Sequence, residues 1–380
     1  MFANERQEQI LRQVQEQGSV RLAVLARQFG VSMVTLRRDV GILADSGLVT
    51  RVHGGITKAS PDADLPVKQV TTDARQLVIG MLVPSVNYYY PAIIKGARDM
   101  AEQHGARVVL GVSRYDIDAD RARVSQLIDN GASGLLLTPS QHPGIIEEKW
   151  LEALPVPTVL VERHSELGLD VSHLDTVISH HTHGAFIGAR HLADLGHRKL
   201  ILATRSSPST AGVQGGFHAA VERLGLDEPI LLSIDHDGPT EAQIQQTITA
   251  LRAGATGALI HNDDDALMLV QHLREAGLSV PDDLSVVAYD DEVGELSDPP
   301  LTTVAPLKEM VGRRAADLLI QRLTGPYDTP VEHTLLLPEL RVRASTAPCT
   351  DRHAIRHRAR NHRPPRPTRP EPHARTKKEE

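Results

Sequence analysis

Along the first sixty residues, apolar positions recur at helical spacing in three short runs. Ile10, Leu11 and Val14 form a stripe on a helix predicted from Asn4 to about Glu16, stopped by Gly18. Leu22, Leu25 and Ala26 mark a second helix over 21–28. Gly30 permits a tight turn, and the Ser32 hydroxyl is placed to cap a third helix over 33–44, with Leu36, Val40 and Leu43 on one face. From Gly47 the period changes to alternation, through Leu48, Thr50 and Val52 to Gly54, Gly55 and Ile56, which predicts a small hairpin.

The third helix leaves Thr35, Arg37 and Arg38 to face a partner. A helix of this length fits the major groove of duplex DNA, where Arg contacts guanine edges or phosphates and Thr a phosphate or a thymine methyl. Arg51, His53 and Lys58 on the hairpin are positioned to reach the backbone or minor groove; exposed side chains without a partner are the plainer alternative.

Residues 59–76 have weak periodicity and carry Pro61 and Pro66, so they read as a linker. Apolar strand runs then alternate with helix-length segments. Strands are predicted over 77–83, 106–112, 134–138 and 158–161, and in a second series over 200–203, 230–234, 258–261 and 284–289. Such alternation implies parallel sheets covered on both faces, and about 265 residues suffice for two lobes. The expected fold class is therefore α/β: two lobes with parallel sheets, preceded by a small winged helix-turn-helix domain at 1–58.

Two sets of motifs carry resemblances. The run Val31-Ser32-Met33-Val34-Thr35-Leu36-Arg37-Arg38-Asp39-Val40, followed by Gly47-Leu48-Val49-Thr50-Arg51-Val52-His53-Gly54-Gly55, resembles the DNA-binding head of the DeoR family of bacterial regulators. Leu36 replaces the isoleucine usual there. The landmarks His191-Leu192, Leu195-Gly196-His197, Gly216-Phe217, Asn262-Asp263, Val287-Ala288-Tyr289-Asp290-Asp291 and Pro299-Pro300-Leu301-Thr302-Thr303-Val304 look like those of the LacI and GalR sensor domain, which is similar to periplasmic sugar-binding proteins. A closing strand segment at 337–343 completes the series.

These resemblances imply a repressor of carbohydrate metabolism or uptake genes that binds operator double-stranded DNA, with Ser32, Thr35, Arg37 and Arg38 on the recognition element. They imply chain crossings between lobes near Glu162, Asp291 and Gly325. Lobe 1 is then about 77–161 with 292–324, and lobe 2 about 162–291 with 325–343. A small polyhydroxylated effector is expected at the carboxyl ends of the strands, against Asn87, Tyr88, Tyr89, Tyr90, Arg163, Asn262 and Asp290. Asn262 and Asp290 also suit Asx caps or turns. Two departures put a standard hexose pose in doubt: Val213 stands where an effector-binding arginine is usual, and His180 where an aspartate is common. Whether ligand relieves repression, assists it or activates is left open, with relief preferred. A homodimer is expected, since a symmetric pair reads a palindrome.

Composition narrows this further. Residues 1–60 carry eight Lys and Arg against five Asp and Glu, residues 351–380 ten against four, and the net charge is −7, so the middle of the chain is strongly acidic. Contact with DNA is expected from the basic ends. The stretch 344–380, rich in Arg and Pro and nearly free of apolar residues in its later part, is predicted to be a disordered tail. A single cysteine, Cys349, no early signal-like apolar run and no stretch of about 18 apolar residues lead to the expectation of a cytoplasmic protein without a membrane segment. His180, His181 and His183 lack a fourth ligand at motif spacing, so no metal or other cofactor is expected. Neither a phosphate-binding loop ending in Lys-Ser or Lys-Thr nor a Gly-x-Ser-x-Gly elbow occurs, so no enzyme is expected.

Overall fold

The computed structural model describes residues 3–29, 31, 36, 39–40, 43, 48–52, 55–58, 76–140, 149–163, 174–235, 237–326 and 329–349. The chain forms two compact units, one of residues 1–184, 207–212 and 305–339, the other of 185–206, 213–304 and 340–380.

The head lies within the first unit. The helix Ala3–Gln17 ends at Gly18, whose φ of 76° is cheap only without a Cβ. β1 (Ser19–Arg21) precedes the helix Leu22–Phe29, and β2 (Val49–Val52) and β3 (Gly55–Lys58) form the expected hairpin. β1 was not anticipated; it pairs antiparallel with β3, Ser19 opposite Thr57, while the Thr57 hydroxyl donates to the Gly18 carbonyl at 2.9 Å. Three residues are too few to show a period, so only this pairing reveals the strand. Leu36, Val40 and Leu43 are buried with Ile10, Leu25 and Ile56, as their shared stripe predicts.

Also in the first unit are β4 (Val78–Val83), β5 (Arg107–Val112), β6 (Gly134–Leu137), β7 (Thr158–Val161), β8 (Asp175–Ser179) and β14 (His333–Leu336). They make an all-parallel sheet in the order β14-β8-β7-β6-β4-β5. Two of its helices, Tyr90–Gln103 and Lys308–Thr324, touch at glycines: a Cβ on Gly96 would overlap the Glu309 carbonyl, and one on Gly312 the Ile93 carbonyl. The apolar faces of both helices close over Ile79, Met81, Val159 and Val177.

The second unit is built on β9 (Leu200–Arg205), β10 (Ile230–Ile234), β11 (Gly257–His261), β12 (Ser285–Tyr289), β13 (Thr302–Ala305) and β15 (Glu339–Arg341). Their order is β10-β9-β11-β12-β13-β15, and the pairs from β10 to β13 are parallel. The alternation expected for an α/β fold is thus present in both units.

The lobe limits differ from those expected. β8 follows Glu162 yet pairs with β7, Val159 opposite Asp175, so the first sheet continues past that point. β13 follows Asp291 yet pairs with β12, and β14 follows Gly325 yet pairs with β8. The units divide instead after Gly184, Val304 and Glu339, apart from 207–212. Residues 344–349, assigned above to the disordered tail, are built into the second unit. Ser345 is fully buried, accepting from the Thr302 amide at 2.8 Å and donating to the Val286 carbonyl at 2.6 Å, and the Cys349 amide donates to the Leu195 carbonyl at 2.7 Å. Small polar residues satisfied by backbone need no apolar pattern, which is why composition misplaced this boundary. Residues 351–380, like 59–75 of the expected linker, lie outside the described residues.

Candidate functional site

In the head, Ser32, Thr35, Arg37, Arg38 and His53 lie outside the described residues. Arg51 and Lys58 take their places on the hairpin, Arg51 opposite Ile56 and Lys58 opposite Val49.

At the carboxyl ends of the first unit's strands the sequence-predicted residues separate into distinct environments. Asn87 and Tyr88 are half-buried in the turn after β4, where the Asn87 amide donates to the Ser85 hydroxyl at 3.1 Å. Tyr90 is a core residue packed with Val86 and Ile93, a correction to its expected place at the ligand. Its position at the helix start turns the ring inward, 5.6 Å from the ring of Tyr89. Tyr89 has φ 70°, and its hydroxyl donates to Glu162 at 2.9 Å. The Lys308 ammonium lies 5.4 Å from the centre of the Tyr89 ring, a cation over its electron-rich face.

Glu162, the first polar residue after β7, accepts from the Ser179 amide at 3.1 Å and the Ser179 hydroxyl at 2.7 Å, with His181 at 3.7 Å. Burial pushes its carboxyl up, but His181 and these Ser179 bonds together outweigh that and hold it below the ordinary value.

Arg163 is buried. Its Nε donates to the Pro139 carbonyl and its Nη1 to the Glu162 carbonyl, both at 2.7 Å, while Nη2 has no hydrogen-bond partner among the described residues. Next to Pro139, the Thr138 hydroxyl is buried and also without one. Asp120 accepts from the Ser140 amide at 2.5 Å and from its hydroxyl at 3.2 Å. Burial raises the Asp120 carboxyl above its usual range, against the opposing pull of Ser113, Ser140 and the Arg163 charge. Thr138, Asp120, Ser140 and Ser179 were not singled out from the sequence, and Glu162 only as a chain crossing. For Thr138 and Glu162 a signal existed: each is the polar residue that ends a buried apolar strand.

In the second unit, Asn262 caps the helix Asp263–Glu275, accepting from the Asp265 amide at 3.2 Å, the alternative role noted for it. Asp265 is held by a two-pronged pair with Arg205, Nε to Oδ2 at 2.7 Å. Burial and the adjacent Asp263 and Asp265 charges raise the Asp264 carboxyl. Asp290 is buried at φ 83°, its amide donating to the Val304 carbonyl at 2.9 Å. Val213 packs in an apolar cluster with Phe217 and Leu259, so this position contributes wall rather than charge.

His180 accepts from the His183 amide at 3.3 Å, and burial, with the His183 and His181 charges, lowers its pKa. Among the described residues no three His, Cys, Asp or Glu side chains are arranged to hold a metal ion. Nor is any helix among them long and apolar enough to cross a membrane. The turn residue His197 is fully buried, bonded to the Thr256 hydroxyl at 2.9 Å and the Ala347 carbonyl at 3.0 Å.

Comparison with known proteins matches residues 6–62 to the DeoR-like helix-turn-helix domain and 189–346 to the periplasmic binding protein-like domain. The chain is 30% identical over 339 residues to the lactose operon repressor of Escherichia coli K12, covering 86% of this chain and 90% of that one. It is 27% identical over 336 residues to the arabinose metabolism transcriptional repressor of Geobacillus stearothermophilus, covering 85% and 89%. The solved lac repressor dimer bound to operator and the anti-inducer ONPF superposes with a TM-score of 0.61 at 26% identity, over 72% of this chain and 96% of that one. A LacI family regulator from Enterococcus faecium with bound ribose gives 0.60 at 25% identity, over 72% and 100%. The chain belongs to the LacI family of transcriptional repressors, and its head is of the DeoR-like helix-turn-helix type.

Proposed function

We propose that this repressor controls carbohydrate metabolism or uptake genes as a cytoplasmic homodimer without enzymatic activity, releasing operator DNA when a small polyhydroxylated effector binds. In this reading residues 1–58 bind DNA through Ser32, Thr35, Arg37, Arg38, Arg51, His53 and Lys58, and 59–76 link them to the sensor, which begins at 77 and includes 344–349. Asn87, Tyr88, Tyr89, Arg163, Asn262 and Asp290 meet the effector.

One observation carries the effector assignment: the buried Arg163 Nη2 and the buried Thr138 hydroxyl, at the ends of parallel strands, have no hydrogen-bond partner among the described residues. Leaving such groups unsatisfied costs about 1–3 kcal/mol each, a cost that hydroxyl-rich ligands remove. Sugar binding by relatives, the ribose-bound Enterococcus faecium regulator among them, supports the same class.

The test has two arms. Thermal unfolding is screened with pentoses, hexoses and their phosphates, because ligand bound only to the native state raises the melting temperature. Operator binding of the parent and of Arg37→Ala and Arg38→Ala is then measured by gel shift with and without the stabilising compound. Expected are loss of specific binding in both variants and release of the parent by the compound. Full operator affinity in both variants, or a stabilising compound that leaves operator affinity unchanged, defeats the proposal.

A further inference from the structure

The two residues assigned to the effector in the second unit, Asn262 and Asp290, are each followed by an aspartate that holds the scaffold. Asp263 is fully buried, and its Oδ2 accepts from the amides of Glu292 and Val293 at 2.7 Å and of Gly294 at 2.9 Å. Three donors on one oxygen fix the path of 292–294. Gly294 has no alternative there, since a Cβ would come within 2.7 Å of the Thr303 hydroxyl.

Asp291, at φ 55°, is held at the other end of the same loop. Its Oδ1 takes Arg343 Nη1 at 2.7 Å and its Oδ2 takes Arg341 Nη1. Arg343 Nη1 also donates to the Leu301 carbonyl at 2.7 Å, and its amide to the Thr302 hydroxyl at 2.9 Å. Burial pushes the Asp291 carboxyl up, but the two guanidiniums outweigh it and hold the group below the usual range, so the pairs are charged at neutral pH. Arg341 lies on β15, two residues after Glu339, where the chain passes from the first unit into the second.

We propose that Asp263 and Asp291 are positioning residues that make the loop 290–294 a relay, joining the helix start at Asn262 to the segment 340–343 through which the chain enters the second unit. The relay rests on the assignment of Asn262 and Asp290 to the effector for its biological use, but its mechanical content does not. Displacing either residue pulls on a loop whose two ends are tied, one to the helix and one to the crossing. A merely local role for each aspartate predicts effects confined to the groups it touches.

Amide hydrogen exchange on the full chain, without any ligand, separates the two. The contacts described for Asp263 reach 292–294, and those described for Arg343 reach Asp291, Leu301 and Thr302. Asp263→Asn is expected to speed exchange at 340–343, and Arg343→Gln at 292–294, each by about tenfold, as loss of a charge-assisted hydrogen bond implies. Arg343→Lys, which keeps the charge, is expected to restore most of the protection at 292–294. If Asp263→Asn does not fold, the two Arg343 variants decide alone. Parental exchange at the remote segment overturns the relay, and so does equal loosening by Arg343→Lys and Arg343→Gln. Because no effector enters, failure of the sugar screen leaves this result untouched and counts only against the proposed function.

Discussion

Arg6 Nε stands 2.6 Å from Asp39 Oδ2, both side chains less than a tenth exposed, joining the first helix of the head to the segment carrying Leu36 and Val40. Gln7 adds a longer bond to the same carboxylate at 3.4 Å. A buried pair contributes little net stability over an apolar one, yet removing one partner strands a charge. Asp39→Ala is expected to destabilise the head by about 3–5 kcal/mol and to weaken operator binding by lowering the folded fraction. Circular dichroism melting checks this, with Arg6→Met/Asp39→Leu expected to recover most of the loss.

The helix crossing in the first unit is a second sensitive point. Gly312→Ala or Gly96→Ala drives a methyl into a backbone carbonyl, which cannot swing aside as a side chain can. Each is expected to cost about 1–3 kcal/mol or more in urea unfolding. Gly215, in the helix Thr210–Arg223 with nothing near its missing Cβ, is the contrast. There alanine is expected to stabilise by about 0.5–1 kcal/mol, and a loss comparable to that at Gly312 would count against this account.

Stability is expected to fall as pH drops below 6.5. Burial comes first among the causes that lower the pKa of both His180 and His191 from that ordinary value. A depressed folded pKa means the unfolded chain binds the proton more readily. The contribution is therefore present above 6.5 and lost as pH falls from there through the folded values. Thermal melting between pH 7.5 and 5.5 should show this slope, and the double variant His180→Gln/His191→Gln should flatten it. An unchanged slope in that variant assigns it to other groups.

Arg163→Met is expected to remove at least about 1.4 kcal/mol of effector binding, tenfold in affinity, while leaving operator binding without effector near the parental level. Isothermal titration with the compound found in the thermal screen measures the first, and gel shift the second. Parental effector affinity in this variant would move the site away from β7.

The local pattern was sufficient for much of this chain. The stripe of Leu36, Val40 and Leu43, the hairpin around Gly54 and Gly55, and the strand runs from Val78 to Tyr289 were legible because a 3.6 or a 2-residue period is written into neighbouring positions. The landmark motifs carried the family.

What the local pattern did not contain was decided by tertiary structure. β8 and β13 stay in the sheets of the strands before them, β7 and β12, although the crossings implied by the family landmarks put them in the other lobe, and β14 joins β8 by pairing of distant segments, such as Leu336 with Ser179. Tyr90 belongs to the core, Asn262 caps a helix, and Ser345 lies inside the second unit, for one shared reason: a polar or aromatic side chain reads the same in sequence whether water or protein satisfies it. By itself the sequence determined the strands with a long apolar run, such as β4, β6 and β12, and which family's landmarks the chain bears; it did not show β1, β8, β13 or β14. Only the folded chain decided which polar atoms are sealed from water with a partner, like Asp263, and which have none among the described residues, like Arg163 Nη2, because that depends on what other segments bring within about 3 Å.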